Sequence, residues 1–209
     1  MPLICFFGTD GSGKTTLSRY LARELVAKGF RVRHSWMRGS HTFVSFLSRL
    51  LCGFSAFKEG FNPYYGVTVT GSMARLWTVL EYLGALPIIL WKFILPSLLG
   101  YMVIADRYVA DLAVWIVLVT GDDRFLRSIL ARHLLVLASK SDTAFLVTAD
   151  PRELARRGGG ELNVLRRQNY LYASLKIGAC VVDTTGKTPS ESLEQVLDLL
   201  ESQGWMQSQ

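Results

Sequence analysis

The chain has 209 residues, half of them hydrophobic, with a net charge of +6 and a pI near 9.4. That length holds one α/β domain with its own core and leaves little room for a second. The basic balance fits phosphate handling, and equally nucleic-acid or anionic-membrane binding. The three cysteines (Cys5, Cys52, Cys180) read as reduced thiols, and no Cys/His spacing suggests a metal module.

In chain order, Leu3–Phe7 is a short apolar run ending at a glycine loop, the pattern of a buried parallel strand. It has no basic leader and is not expected to be a signal peptide. Residues 14–28 carry apolar positions at 17, 21, 25 and 26, which is helical spacing, with Gly29 as a stop. Phe30–Met37 reads as a second strand. Residues 41–52 and 71–95 read as helices, with a loop over Gly60–Gly66 between them. Residues 82–105 are strongly apolar. Lys92 interrupts them, and Pro87 and Pro96 are expected to break the helix, leaving pieces too short to span a bilayer. The expectation is a buried helix, a turn, and a third strand over Tyr101–Ala105.

Residues 108–138 read as helical with a break near Gly121-Asp122-Asp123, and Ala144–Thr148 as a fourth strand. A helix over Pro151–Arg157 leads into three glycines. A helix over 161–176, a fifth strand over Ala179–Val182 and a helix over Ser190–Gln203 complete the pattern. Strands alternating with helices predict one three-layer α/β/α domain over 1–209 around a five-stranded parallel sheet.

The chemistry concentrates at Gly8-Thr9-Asp10-Gly11-Ser12-Gly13-Lys14-Thr15, which satisfies G-x-x-x-x-G-K-[ST] between a strand and an amphipathic helix. This is the P-loop pattern, and it sharpens the fold class to a P-loop NTPase of the nucleotide-kinase type. Glycines let backbone N–H groups face phosphate oxygens, and the helix start adds its positive end. Asp10, Gly11, Ser12, Gly13, Lys14, Thr15 and Thr16 are therefore the candidate ATP contacts. Lys14 would reach the β and γ phosphates, and Thr15 would bind Mg²⁺.

Asp106-Arg107-Tyr108 follows the apolar run 101–105, where ligands lie in open α/β sheets. There Asp106 can face Mg²⁺ and Arg107 a transferring phosphate. Arg152, Arg156, Arg157, three glycines, then Arg166 and Arg167 suggest a mobile lid over about 152–168, with Arg156 and Arg157 as catalytic candidates. Arg38 follows the second strand and is placed to meet the acceptor. Arg75 and Asp111 are expected near the same pocket, with Trp115 one turn beyond Asp111. Helices over 40–100 form the acceptor side.

These residues resemble the thymidylate kinase family of P-loop nucleoside monophosphate kinases, nearest to the archaeal thymidylate-kinase-like proteins. The resemblance runs through Phe7–Thr16, Leu95–Gly100 with Ile104–Tyr108, Phe145–Pro151 with Arg156-Arg157, and Val182–Pro189. It implies a homodimeric cytoplasmic transferase using ATP and Mg²⁺. Asp10 would approach the acceptor's sugar, Arg107 the phosphates, and the loop with Thr185 and Lys187 the adenine. Gly11 stands where some members carry a loop arginine, which assigns that role to the lid arginines here. Met37-Arg38-Gly39-Ser40 replaces the family's Arg-Glu-Pro-Gly-Gly, and Asp111 replaces a serine.

Three other readings stay open at this level. One is a P-loop kinase for another nucleotide, a nucleoside or an apolar alcohol. The second is a nucleotide switch, for which Ser139-Lys140-Ser141-Asp142 is a faint guanine-reading pattern. The third is a catalytically silent binding module. No nucleic-acid partner is expected.

Overall fold

The computed structural model describes residues 3–37, 69, 72–158 and 160–205. Five parallel strands form one sheet in the order β2-β3-β1-β4-β5. They are β1 (Leu3–Gly8), β2 (Val32–Trp36), β3 (Met102–Asp106), β4 (Thr143–Thr148) and β5 (Cys180–Asp183). The helices are α1 (Lys14–Ala27), α2 (Ser72–Ile89), α3 (Leu95–Leu98), α4 (Val109–Thr120), α5 (Ile129–Ser139), α6 (Pro151–Gly158), α7 (Leu162–Ser174) and α8 (Pro189–Ser202). A short 3₁₀ turn, Asp123–Arg127, joins α4 to α5.

The period of two in the central strands divides the core. Leu3, Cys5, Phe7, Val103 and Ala105 pack on one face with Phe93, Leu112, Ile116, Leu134 and Leu171. Ile4, Phe6, Met102 and Ile104 pack on the other with Leu17, Leu21, Leu25, Val196 and Leu200. Phe6 and Phe145 stack at 5.1 Å between ring centroids in that second layer. The three-layer parallel architecture is the one expected from the alternation of strands and helices. The expected helix over 41–52 and the loop at Gly60–Gly66 lie outside the described residues.

One expectation is corrected. Neither Pro87 nor Pro96 ends the helix. α2 passes through a π-helical stretch, Leu90–Ile94, directly into α3, with right-handed helical backbone at both junctions. A proline removes the N–H that would bond the carbonyl four residues earlier. For Pro96 that carbonyl belongs to Lys92, and the Ser35 hydroxyl on β2 donates to it instead at 2.8 Å. The Lys92 ammonium donates to the Trp36 carbonyl at 3.0 Å, so this part of the helix is fastened to β2. The resulting segment, Met73–Leu98, is long and apolar enough by length and composition to cross a membrane, contrary to the short pieces expected. On its outer side Leu76, Val79, Leu83 and Leu90 are exposed.

Candidate active site

β1 delivers the glycine loop at its carboxyl end, and Gly13, in left-handed backbone, caps α1. Gly8 touches β4 so closely that a Cβ there would lie 2.1 Å from the Val147 carbonyl oxygen, so only glycine fits. Lys14 is buried. Its ammonium donates to the Thr9 carbonyl and to Ser12 Oγ at 3.2 Å. Burial first, and then the charge of Arg107, lowers its pKa to about 7.

β3 lies beside β1 with Phe6 opposite Asp106, which brings the Asp106-Arg107 pair next to the loop. Asp106 is buried, and its Oδ1 has no hydrogen-bond partner among the described residues. Such an oxygen carries a desolvation cost unless a ligand answers it. Asp106 and the Thr15 hydroxyl are oxygen donors of the kind a hard dication takes. The residues present therefore fit Mg²⁺.

Arg107 adopts φ 70°, the one positive φ at a non-glycine residue among those described. Its backbone N–H donates to the Phe6 carbonyl at 2.9 Å. Its guanidinium pairs with Asp10 and, at 3.0 Å, with Asp111. Asp111 is buried rather than presented to the cleft. Burial pushes its carboxyl up, while Arg107, Lys14 and a hydrogen bond from Tyr172 pull it back down.

A cavity of about 500 Å³ opens over the loop, walled by Gly11, Gly13, Lys14, Thr15, Thr16, Leu17, Arg107, Arg157, Thr184, Lys187, Pro189 and Ser192. Arg157 is anchored by two bonds of 3.0 Å to the Thr184 hydroxyl and carbonyl and pairs with Glu153 at 2.5 Å. The Gly186 N–H, foremost, holds the Glu153 carboxyl below its usual range. The Thr184 hydroxyl lies 3.1 Å from the Ser12 carbonyl and so fastens the last strand's loop to the phosphate loop. From α7, Asn169 accepts from the Thr9 hydroxyl, and Gln168 accepts from the Asp10 N–H at 3.3 Å.

Gly11, Gly13, Lys14, Thr15, Thr16, Arg107, Arg157 and Lys187 thus meet in one cavity, while Asp10, Ser12 and other expected contacts are not on its wall. Arg156 is 77% exposed and, among the described residues, reaches Glu153 at 3.5 Å. Thr185 faces solvent and bonds Asp183, whereas its neighbour Thr184 lines the cavity. Lys187 lines it, with its ammonium donating to Gln195 at 3.0 Å. Arg166 is exposed, and Arg167 pairs with Asp123 at 2.5 Å. Arg75 is exposed near Asp122. Trp115 is buried and donates to the buried carboxylate of Glu81 at 3.3 Å. Arg38 lies outside the described residues.

Gln168, Asn169 and Tyr172 carry no sequence signal of their own, and at Thr184 the sequence points instead to its neighbour Thr185. Only the isolation of Glu81 and Asp111 in apolar runs hints at buried partners.

The faint guanine-reading pattern is ruled out by position. Asp142 accepts from the Leu3 N–H at 2.8 Å, at the start of β1, the end opposite the phosphate loop.

No family model matches the chain. It is 27% identical over 205 residues to a probable thymidylate kinase of Archaeoglobus fulgidus, covering 93% of this chain and 90% of that relative. Its structure matches that of the thymidylate kinase from Candida albicans with a TM-score of 0.65 at 16% identity, over 96% of this chain and 91% of the other. In fold, and in sequence along nearly its whole length, the chain is thymidylate kinase-like.

Proposed function

We propose that the protein transfers the γ-phosphoryl group of ATP to a nucleoside monophosphate, in a reaction of the type dTMP + ATP to dTDP + ADP. The observation that carries this reading is the convergence of Lys14, Asp106, Arg107 and the glycine loop at the carboxyl ends of β1 and β3, with Lys14 and Arg107 on the wall of one cavity. The named relatives in sequence and fold support the same reaction class.

In this reading the glycine loop binds the triphosphate through backbone N–H groups and the start of α1. Lys14 turns from the Thr9 carbonyl to the β/γ oxygens. Arg107 leaves Asp10 to meet phosphate, and Asp10 turns to the acceptor's sugar. Arg157, already tied to the loop after β5, adds charge from the lid side, and the solvent-exposed Arg156 adds only a minor, screened share. Arg38, Arg75 and Asp111 remain the acceptor-side candidates, with Asp111 acting through Arg107. Thr15 and Asp106 would hold Mg²⁺, which when bound neutralises charge on the β and γ phosphates. Among the described residues no group of three or more His, Cys, Asp or Glu forms a metal cage, so phosphate oxygens and water would complete the shell. Positioning and electrostatics supply most of the rate enhancement for this chemistry.

The exposed residues Leu76, Val79, Leu83 and Leu90 recur at helical spacing on α2 and its extension and support a homodimer through this face. We assign the protein to the cytoplasm. A different acceptor is the second reading, favoured by the apolar composition of 43–100. The Candida albicans enzyme is itself described as broad in substrate specificity.

The test is ADP release from ATP across a panel of nucleoside monophosphates, nucleosides and apolar alcohols, with Lys14→Ala beside the wild type. The expected outcome is acceptor-dependent turnover, highest with dTMP and reduced by about a thousandfold in Lys14→Ala. Turnover near wild type in that variant refutes the reading, and preference for another acceptor selects the second one.

A further inference from the structure

Arg107 is gripped by two carboxylates of different character. Asp111 is 4% exposed at its side chain, and Asp10 is 26% exposed. The buried one is itself fixed from three directions. Its Oδ1 accepts from Arg107 and, at 2.8 Å, from the hydroxyl of Tyr172 on α7. Its Oδ2 accepts from the Tyr108 N–H at 3.3 Å, closing the cap of α4. The Tyr172 hydroxyl is buried and stays protonated, so it serves as a donor. Its ring packs 6.1 Å from that of Phe7. α4 and α7 therefore meet on one end of a single guanidinium, while its other end rests on the more accessible Asp10.

Resting on the phosphotransfer reading above, we propose that Asp111 and Tyr172 are positioning residues that fix one end of the Arg107 guanidinium, so that only its other end exchanges between Asp10 and the acceptor's phosphate. The geometry supports this directly. A buried acceptor that already receives three donors has little reason to release one, because an unanswered buried donor is costly. Asp10 can exchange because water or a substrate hydroxyl can replace Arg107. The arrangement also seats the unusual φ of Arg107, since the side chain is aimed by two helices rather than by its own backbone preference.

Two measurements test the anchor. The first uses the free protein. Side-chain ¹⁵N spectra should show separate, slowly exchanging Nη resonances for Arg107 in the wild type, collapsing to an average in Asp111→Asn. An averaged signal in the wild type overturns the anchor whatever reaction the protein performs. The second compares Tyr172→Phe, which keeps the ring contact with Phe7, with the wild type. The expected result is a kcat lower by about tenfold or more, with the KM for ATP within about twofold and the melting temperature lower by about a few degrees. Equal kcat values overturn the proposal. Separate resonances in a wild type that turns over no acceptor would uphold the anchor and count against the phosphotransfer reading alone.

Discussion

Gly11 of the phosphate loop and Gly158 at the end of α6 pack backbone against backbone. A Cβ added to Gly11 would lie 2.9 Å from the Leu154 carbonyl oxygen and 3.2 Å from the Gly158 nitrogen. Gly11 also sits at φ +82°, where side chains are strained. Gly11→Ala should therefore cost about 1–3 kcal/mol of stability and weaken ATP binding by about tenfold or more. Thermal unfolding and titration calorimetry read the two effects. An alanine variant that binds ATP as the wild type does would show that the loop has room to shift. The same crowding explains why this position holds no arginine: its side chain would run into the backbone of α6.

Lys14 gives a pH signature. With a pKa lowered to about 7, it is largely neutral at pH 8 in the free protein. A triphosphate beside it restores the charged form and raises the pKa, so binding at pH 8 should take up close to one proton. Uptake should vanish well below pH 7, where Lys14 is charged in both states. Calorimetry in buffers of different ionisation enthalpy measures this, with Lys14→Met as the control that removes it. Equal uptake in the control would assign the proton elsewhere.

Asp106 should separate stability from activity. Its unpartnered oxygen is a burden on the free protein and a donor only when a cation arrives. Asp106→Asn should leave the melting temperature unchanged or raise it. It should also lower acceptor-dependent turnover by about a hundredfold or more and weaken its dependence on Mg²⁺ concentration. A marked loss of stability with turnover intact would make Asp106 a structural residue.

The two adjacent arginines of α6 should differ. Arg157 is bonded to Thr184 and reaches the cavity, while Arg156 is 77% exposed and, among the described residues, is held by Glu153. Arg157→Ala should lower kcat by about a hundredfold, whereas Arg156→Ala should change it by less than about threefold. The reverse order would mean that α6 turns by about one residue when nucleotide binds.

The phosphate loop was legible because its chemistry is local: one contiguous segment holds the glycines, Lys14 and Thr15. The strands were legible because buried parallel strands are nearly pure apolar runs. The supporting side chains were not. Gln168 and Asn169 reach the loop, and Tyr172 reaches Asp111, from more than sixty positions away, and nothing in their own neighbourhoods marks them; the segment around Thr184 was legible, but it pointed to the neighbouring Thr185. Asp111 was assigned to the site, but its spacing could not tell a carboxylate that meets a ligand from one that holds the arginine meeting it. Pro96 was misread because the hydroxyl that answers its missing hydrogen bond comes from Ser35, on a different element.

That repair at Pro96 has a mechanical consequence. The Ser35 hydroxyl answers the carbonyl that Pro96 leaves without its partner, while the Lys92 ammonium grips the next residue of β2. Sliding the helix along the sheet by a single residue would break both bonds. The proline thus works as an alignment pin. It sets the height of this helix relative to Trp36, which lies in register with Asp106.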